Sequence, residues 1–232
     1  EATSRVASRK RPYELLLEMF GENLDPSWPD QVRAYLRGGQ PQASIAELAS
    51  VQRPDAERIF QRIEYDGIRR LLVHAPMGDG VSTVLLQVAA KLLRQGDKPV
   101  FLCRGELPAA PPAEPFILII DDSAEVATWP DWLAASLAHD DRNRLVLGTR
   151  TFARRALYER LGSLGNLLDF ALQPERADRT ELYLALYRRF DACEEPERDI
   201  AGLFRDGLGN LNEPGSGGLW CAAYQATRGE TF

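Results

Sequence analysis

Three short stretches of this chain carry residues whose types and order suit phosphate chemistry. The first is "APMGDGVST" at 75–83, set between an apolar run and residues of helical spacing. The phosphate-binding pattern G-x-x-x-x-G-K-[ST] uses backbone N–H groups to cradle phosphates, a lysine to hold their outer charge and a hydroxyl to hold Mg2+. Here Gly78 and Gly80 permit close backbone approach, while Ser82 and Thr83 supply hydroxyls. Ala75 replaces the first glycine, and Val81 stands where the lysine belongs. Gly78, Asp79, Gly80, Val81, Ser82 and Thr83 form the candidate phosphate-binding set, and the helix after them presents its positive end to an anion.

The second stretch is "FILIIDDS", an apolar run closed by Asp121 and Asp122. An aspartate at such a strand end holds Mg2+ in phosphoryl-transfer sites, and an acid beside it positions or activates water. Ser82 and Asp121 are thus the candidate magnesium ligands, and Asp122 is a candidate catalytic acid. The bland alternative is a strand that ends in solvent-exposed acids. The third stretch, "RLVLGTR", ends in Arg150, where a basic residue can sense the outermost phosphate; in isolation it is a surface arginine. Their order along the chain favours the chemical reading of all three, because ligands of open α/β sheets bind at the C-terminal ends of the strands.

The elements that must position these residues are legible from hydrophobic period. "RRLLVHA" is a continuous apolar run of buried-strand type, after which Val84, Leu85, Val88, Ala89, Leu92 and Leu93 recur at helical spacing. "KPVFLCRG", "FILIIDDS", "NRLVLGTR" and "NLLDFALQP" are further strands, with helices in "DWLAASLAHD" and "TFARRALYERLG". "LPAAPPAEP" is too rich in proline for a crossover helix. The alternation indicates a parallel sheet covered on both faces. Before it lie expected helices in "PYELLLEMFG", "PSWPDQVRAYLRGG", "SIAELASV" and "RPDAERIFQRIEYDG". After Pro174 come three more, in "ADRTELYLALYRRF", "PERDIAGLFRDGL" and "GGLWCAAYQATRG".

These motifs resemble the P-loop NTPases of the signal-transducing kind, the STAND family, which includes NLR-type immune receptors and many bacterial anti-phage proteins. The resemblance covers about residues 53 to 232, from "RPDAERIFQRI" to "GGLWCAAYQATRGETF". It implies an α/β fold, a P-loop NTPase-type parallel sheet with helices on both faces. With the helical pattern before it, three parts are expected: an N-terminal helical segment (1–52), a nucleotide-binding domain (53–175) and a truncated helical lid (176–232). ATP or ADP with Mg2+ is the implied cofactor, and self-association or contact with other protein domains the implied partnership. Losing a charge-assisted hydrogen bond of the lysine type costs about 1.5–3 kcal/mol, roughly tenfold to a hundredfold in affinity. Hydrolysis suffers more, since lysine also stabilises transition-state charge. The expectation is a regulatory module that binds nucleotide weakly or statically and turns it over slowly, if at all.

Composition narrows the alternatives. A net charge of −6 argues against a broad nucleic-acid or membrane-surface binder. Cys103, Cys193 and Cys221 are widely spaced and odd in number, which suits free thiols in a reducing cytoplasm rather than disulfides or a zinc site. No run approaches the ~20 apolar residues of a membrane span. The chain opens on Glu1 and stops just after a helical pattern, so it is expected to be a piece of a longer protein. Two other functions compete. One is a pseudo-NTPase scaffold that binds no nucleotide, with Val81 filling the space of a phosphate. The other is DNA binding by the winged-helix-like "ASIAELASVQRPDAERIFQRIEYDG", against which Asp55, Glu57 and Glu64 balance Arg53, Arg58 and Arg62. His74 is expected to be a satisfied strand-end histidine, and Trp129 and Trp132 to serve core packing.

Overall fold

The computed structural model describes residues 14–15, 28–36, 45–46, 50–76, 78–95, 98–104, 107–112, 115–173 and 180–190. The strands are β1 (Glu14–Leu15), β2 (Arg70–Ala75), β3 (Val100–Arg104), β4 (Ile117–Asp121), β5 (Arg144–Arg150) and β6 (Leu168–Ala171). The helices are α1 (Trp28–Leu36), α2 (Pro54–Glu64), α3 (Val81–Gln95), α4 (Asp131–His139), α5 (Arg154–Arg160) and α6 (Thr180–Arg189). The strand order is β1-β3-β4-β5-β2-β6, and every pairing is parallel except β1 with β3. Because β3 and β4 lie on one side of β2 and β6 on the other, the chain reverses its winding beside β2. That switch point is where an open α/β sheet offers a ligand crevice.

Alternation along each strand builds two cores. Leu71, Val73, Leu102, Ile117, Ile119 and Val146 face α2 and α3, where they meet Ile59, Ile63, Val84, Leu85, Val88 and Leu92. Leu72, Cys103, Leu118, Ile120, Leu145 and Leu147 face α4 and α5, where they meet Leu133, Leu137, Leu157 and Leu161. Both faces are therefore covered by helices, and the expected α/β, P-loop NTPase-type sheet is the one observed. At about 25 cal/mol per Å2 of apolar surface removed from water, these two layers dominate the folding energy. The polar anchors are local. Asn143 accepts from the Phe116 N–H at 3.0 Å and donates to the Ser136 carbonyl at 3.0 Å, tying the starts of β4 and β5 to α4.

The front section departs from expectation. "PYELLLEMFG" reads as a helix by its leucine spacing, but Glu14 and Leu15 pair with Leu102 and Phe101 as an antiparallel edge strand. Backbone groups along the open edge of β3 recruit this segment, and local periodicity cannot register that long-range bond. The helices expected around 28–36, 54–64 and 180–189 are present, and Ile45 and Ala46 are helical and buried. The described residues between β3 and β4 hold no helix, as the prolines require. The two expected tail helices beyond residue 190, with Cys193 and Cys221, lie outside the described residues.

Several charges of the segment around α2 are used within the fold. Arg53 and Asp55 are buried, with side chains 3% and 2% exposed and 3.5 Å apart. Glu57 pairs with Lys91 and Glu64 with Lys98. Glu57 and Glu64 thus fasten α2 to α3 and the segment after it, while Arg58 and Arg62 pair locally with Asp55 and Asp66 and remain partly exposed.

Candidate functional site

The glycine loop leaves β2 and enters α3 through two residues in the left-handed region, Gly78 (φ 87°) and Gly80 (φ 79°). A side chain at either would be strained, which explains the glycines. The first helical hydrogen bond of α3 runs from Val84 N–H to Gly80 carbonyl. The N–H groups of Val81, Ser82 and Thr83 therefore have no acceptor within the helix, the arrangement that receives an anion.

Ser82 and Asp121 meet. The Ser82 hydroxyl donates to Asp121 Oδ1 at 3.0 Å, which joins the first turn of α3 to the end of β4. The same oxygen accepts from the Asp122 N–H at 3.0 Å, and Asp121 Oδ2 lies 3.7 Å from Arg104 Nε at the end of β3. Burial pushes the Asp121 carboxyl above the ordinary aspartate range; Ser82 opposes this, Asp122's charge adds to it, and Arg104 opposes it again.

Asp122 is exposed and left-handed (φ 48°, ψ 44°), a conformation that costs a non-glycine residue about 1 kcal/mol and that aspartate tolerates better than most. The bend holds Ser123 beneath the strand ends, where its hydroxyl donates to the Gly148 carbonyl at 2.8 Å. Arg150 closes β5 and is exposed. It shares a strand face with Val146 and Gly148, the face covered by α3, so the expected sensor stands on the side of the loop. On the other face Thr149 is buried, and its hydroxyl has no partner among the described residues.

Val81 packs beside Gly148 of β5. A methyl built on Gly148 would come within 3.1 Å of Val81 Cγ1, 2.5 Å of Leu85 Cδ1 and 3.5 Å of Asp121 Oδ1. Val81 therefore points toward β5 and packs on the edge of the α3-side core. Gly148 is the strand position that lets the start of α3 come this close.

Several contributors escaped the sequence reading. Tyr35 of α1 shares a 2.9 Å hydrogen bond with the Thr83 hydroxyl, and burial raises its phenol pKa. Arg53 donates to the Asp79 carbonyl at 3.2 Å and to the Gln173 carbonyl at 2.7 Å, bracing the loop against the exit of β6. Arg104 ends a strand as Arg150 does, and the same strand-end rule identifies it. His74 is the satisfied strand-end residue expected, with Nδ1 3.2 Å from Thr151 Oγ1 and Nε2 3.2 Å from Asp169 Oδ1. Trp129 and Trp132 pack on the α4–α5 side, and the Trp132 indole donates to the Pro108 carbonyl at 2.9 Å. They anchor a loop away from the candidate site.

The donor set fits a polyphosphate: glycines at positive φ, first-turn amides with no acceptor inside the helix, and a hydroxyl and a carboxylate in contact. Among the described residues no group of three or more His, Cys, Asp or Glu side chains can hold a metal. Mg2+ held by Ser82 and Asp121 would therefore draw its other ligands from phosphate and water.

No protein-family model matches the chain, and no curated protein matches it either. Among solved structures it is similar to the Thermotoga maritima RuvB Holliday junction branch migration motor, at 17% identity over 86% of this chain and 60% of that one, with a TM-score of 0.47. NtrX from Brucella abortus in complex with ATP is similar at 12% identity over 78% and 54%, TM-score 0.44. The Aeropyrum pernix ORC2 protein, in ADPNP and ADP complexes, is similar at 13% identity over 88% and 64%, TM-score 0.41. The chain spans less than two thirds of each of these proteins. At such identities and TM-scores the likenesses carry no argument about activity, which rests on the residues above. No described helix is long and apolar enough to cross a membrane.

Proposed function

We propose that this chain is the nucleotide-binding regulatory module of a larger cytoplasmic signalling protein of the STAND type. In this reading it binds ATP or ADP and hydrolyses ATP slowly, if at all. The observation that carries the reading is the Ser82–Asp121 hydrogen bond. It brings the loop hydroxyl and the strand-end carboxylate, far apart in sequence, to one point at the start of α3. Bound Mg2+ would supply charge to the phosphates, and Ser82 and Asp121 would hold it. The first-turn amides and the two glycines would receive the phosphates, Asp122 would orient water, and Arg150 would respond to the outermost phosphate. Without a lysine at 81 the loop contributes no positive side chain of its own, which keeps turnover low.

A switch requires a link between this site and the tail, and α1 supports one. Trp28 and Tyr35 are seven residues apart, two helical turns, and so share a face of α1. Tyr35 bonds Thr83, while the Trp28 ring meets Phe190 beyond α6 edge-on at 6.0 Å. Occupancy that displaced Tyr35 would thereby bear on the tail helix, and its release would permit self-association or contact with other protein domains. The immune and anti-phage roles rest on the sequence resemblance alone. A ligand-free scaffold is favoured by one feature, the use of the Thr83 hydroxyl by Tyr35.

The deciding experiment combines mass spectrometry of small molecules released from the denatured protein with thermal shifts in ADP and ATP. Ligand at a hundred times its dissociation constant adds about 2.7 kcal/mol, a shift of roughly 5–10 °C for a domain of this size. Released nucleotide or such a shift supports the reading. Neither one, with the protein folded, leaves the scaffold.

A further inference from the structure

The loop lacks its lysine, yet a cation stands at the magnesium aspartate. Arg104 closes β3, is paired in register with Asp121 across β4, and places Nε 3.7 Å from Asp121 Oδ2. The other oxygen of that carboxylate holds Ser82, so one carboxyl group separates the guanidinium from the first turn of α3. Alternation puts Arg104 on the strand face of Val100 and Leu102, which is the face of α3. Its side chain is 36% exposed, against 6% for Asp121, so it reaches solvent where the carboxylate does not.

Two other arginines approach the site and serve differently. Arg53 is buried behind the loop and directed at the Asp79 and Gln173 carbonyls and at Asp55. Arg150 is exposed at the end of β5, two strands from β3. We infer that Arg104 is the phosphate-binding cation of this site, supplying from β3 the charge that Val81 removes from the loop. The inference rests on the nucleotide reading and refines it. A guanidinium is always charged, is less strongly hydrated than an ammonium and offers a planar fork of donors to phosphate oxygens. Its charge lies close enough to Asp121 to offset that carboxylate when Mg2+ is absent, so the site should hold nucleotide without Mg2+.

The test is equilibrium binding of a fluorescent methylanthraniloyl-ADP to the full chain, in Mg2+ and in EDTA. Wild type should bind in both buffers with affinities within about tenfold of each other. Arg104→Gln should weaken binding in EDTA by about tenfold to a hundredfold. Arg104→Lys should recover most of the loss, and Arg155→Gln, a 91% exposed charge on α5, should change nothing. If Arg104 merely offsets the charge of Asp121, its removal will cost nothing in an Asp121→Asn background. A persistent loss of about tenfold there supports action on the phosphates, and no loss overturns the proposal. Wild-type-like binding by Arg104→Gln overturns it too. Should Arg104→Gln melt early without ligand, Arg104→Met, which keeps the apolar stem, takes its place. Failure of wild type to bind in either buffer is a failure of the nucleotide reading itself, visible before any variant is compared.

Discussion

Val81→Lys asks the site to take back its missing charge, and the structure sets both sides of the balance. Val81 is half-buried, with one γ-methyl lying against Gly148 at the edge of the α3-side core. Lysine keeps the Cβ and one γ-carbon and loses the second, at about 0.8 kcal/mol per buried methyl-sized group. It regains a few tenths of a kcal/mol in helix propensity. The stability cost is therefore below about 1 kcal/mol, or roughly 2–4 °C in melting temperature. A charge-assisted bond from the new ammonium to phosphate contributes about 1.5–3 kcal/mol, which tightens ADP roughly tenfold to a hundredfold. Isothermal titration with ADP, run beside a melting curve without ligand, reads both effects. Unchanged or weaker ADP binding by a folded Val81→Lys protein would refute the claim that the rest of the site is intact. Onset of ATP turnover would show that Asp122 and Arg150 were waiting only for the charge.

Other perturbations probe the supports. Gly148→Ala drives a methyl toward Leu85 and Val81, at an overpacking cost of about 1–3 kcal/mol by urea unfolding, and it should weaken nucleotide binding because the start of α3 is pushed off β4. Arg53→Ala removes the donor to the Asp79 and Gln173 carbonyls and one of the partners of Asp55, which keeps Arg58 and the Gln173 N–H, for a loss of about 2 kcal/mol, or roughly 4–8 °C. Asp140 is held down to about 2 by hydrogen bonds from the Arg142 side chain and backbone. Its contribution is thus complete above the unfolded aspartate value of about 3.9 and lost as pH falls toward 2. The melting-temperature gap between wild type and Asp140→Asn should therefore be widest above pH 5 and close by pH 2. Burial pushes the Cys103 thiol up to about 12, so alkylation at pH 8 should spare it until the protein unfolds, as peptide mass spectrometry can follow.

Elements with strong periods were legible, and elements made by distant pairing were not. The apolar spacing of α3 matches its buried face, and "FILII" is buried throughout because β4 lies inside the sheet, covered on both sides. β1 escaped because its two residues are strands only through their partners on β3, while the leucines around them repeat at helical spacing. The Tyr35–Thr83 bond spans 48 residues and the Arg53–Gln173 bond 120, and no window of sequence contains either. Arg53 misled for the opposite reason. Arginine is rarely buried unless paired, and its partners, two backbone carbonyls and Asp55, become visible only once β6 and the loop are in place.

Val81 packs against the sheet at the edge of the α3-side core. Its γ-methyl lies against β5, at the spot vacated by Gly148. A strand glycine weakens the strand it interrupts, so its use here serves the close approach of α3. What that approach achieves is the Ser82–Asp121 contact, since Asp121 Oδ1 lies within 3.5 Å of the same vacated spot. Val81 and Gly148 thus act together to press the loop hydroxyl onto the strand-end carboxylate. A side chain that packs the site together is a different departure from one that blocks it. The departure removes charge and leaves geometry, which is why restoring charge, from Arg104 in the native chain or from lysine at 81, is the decisive variable.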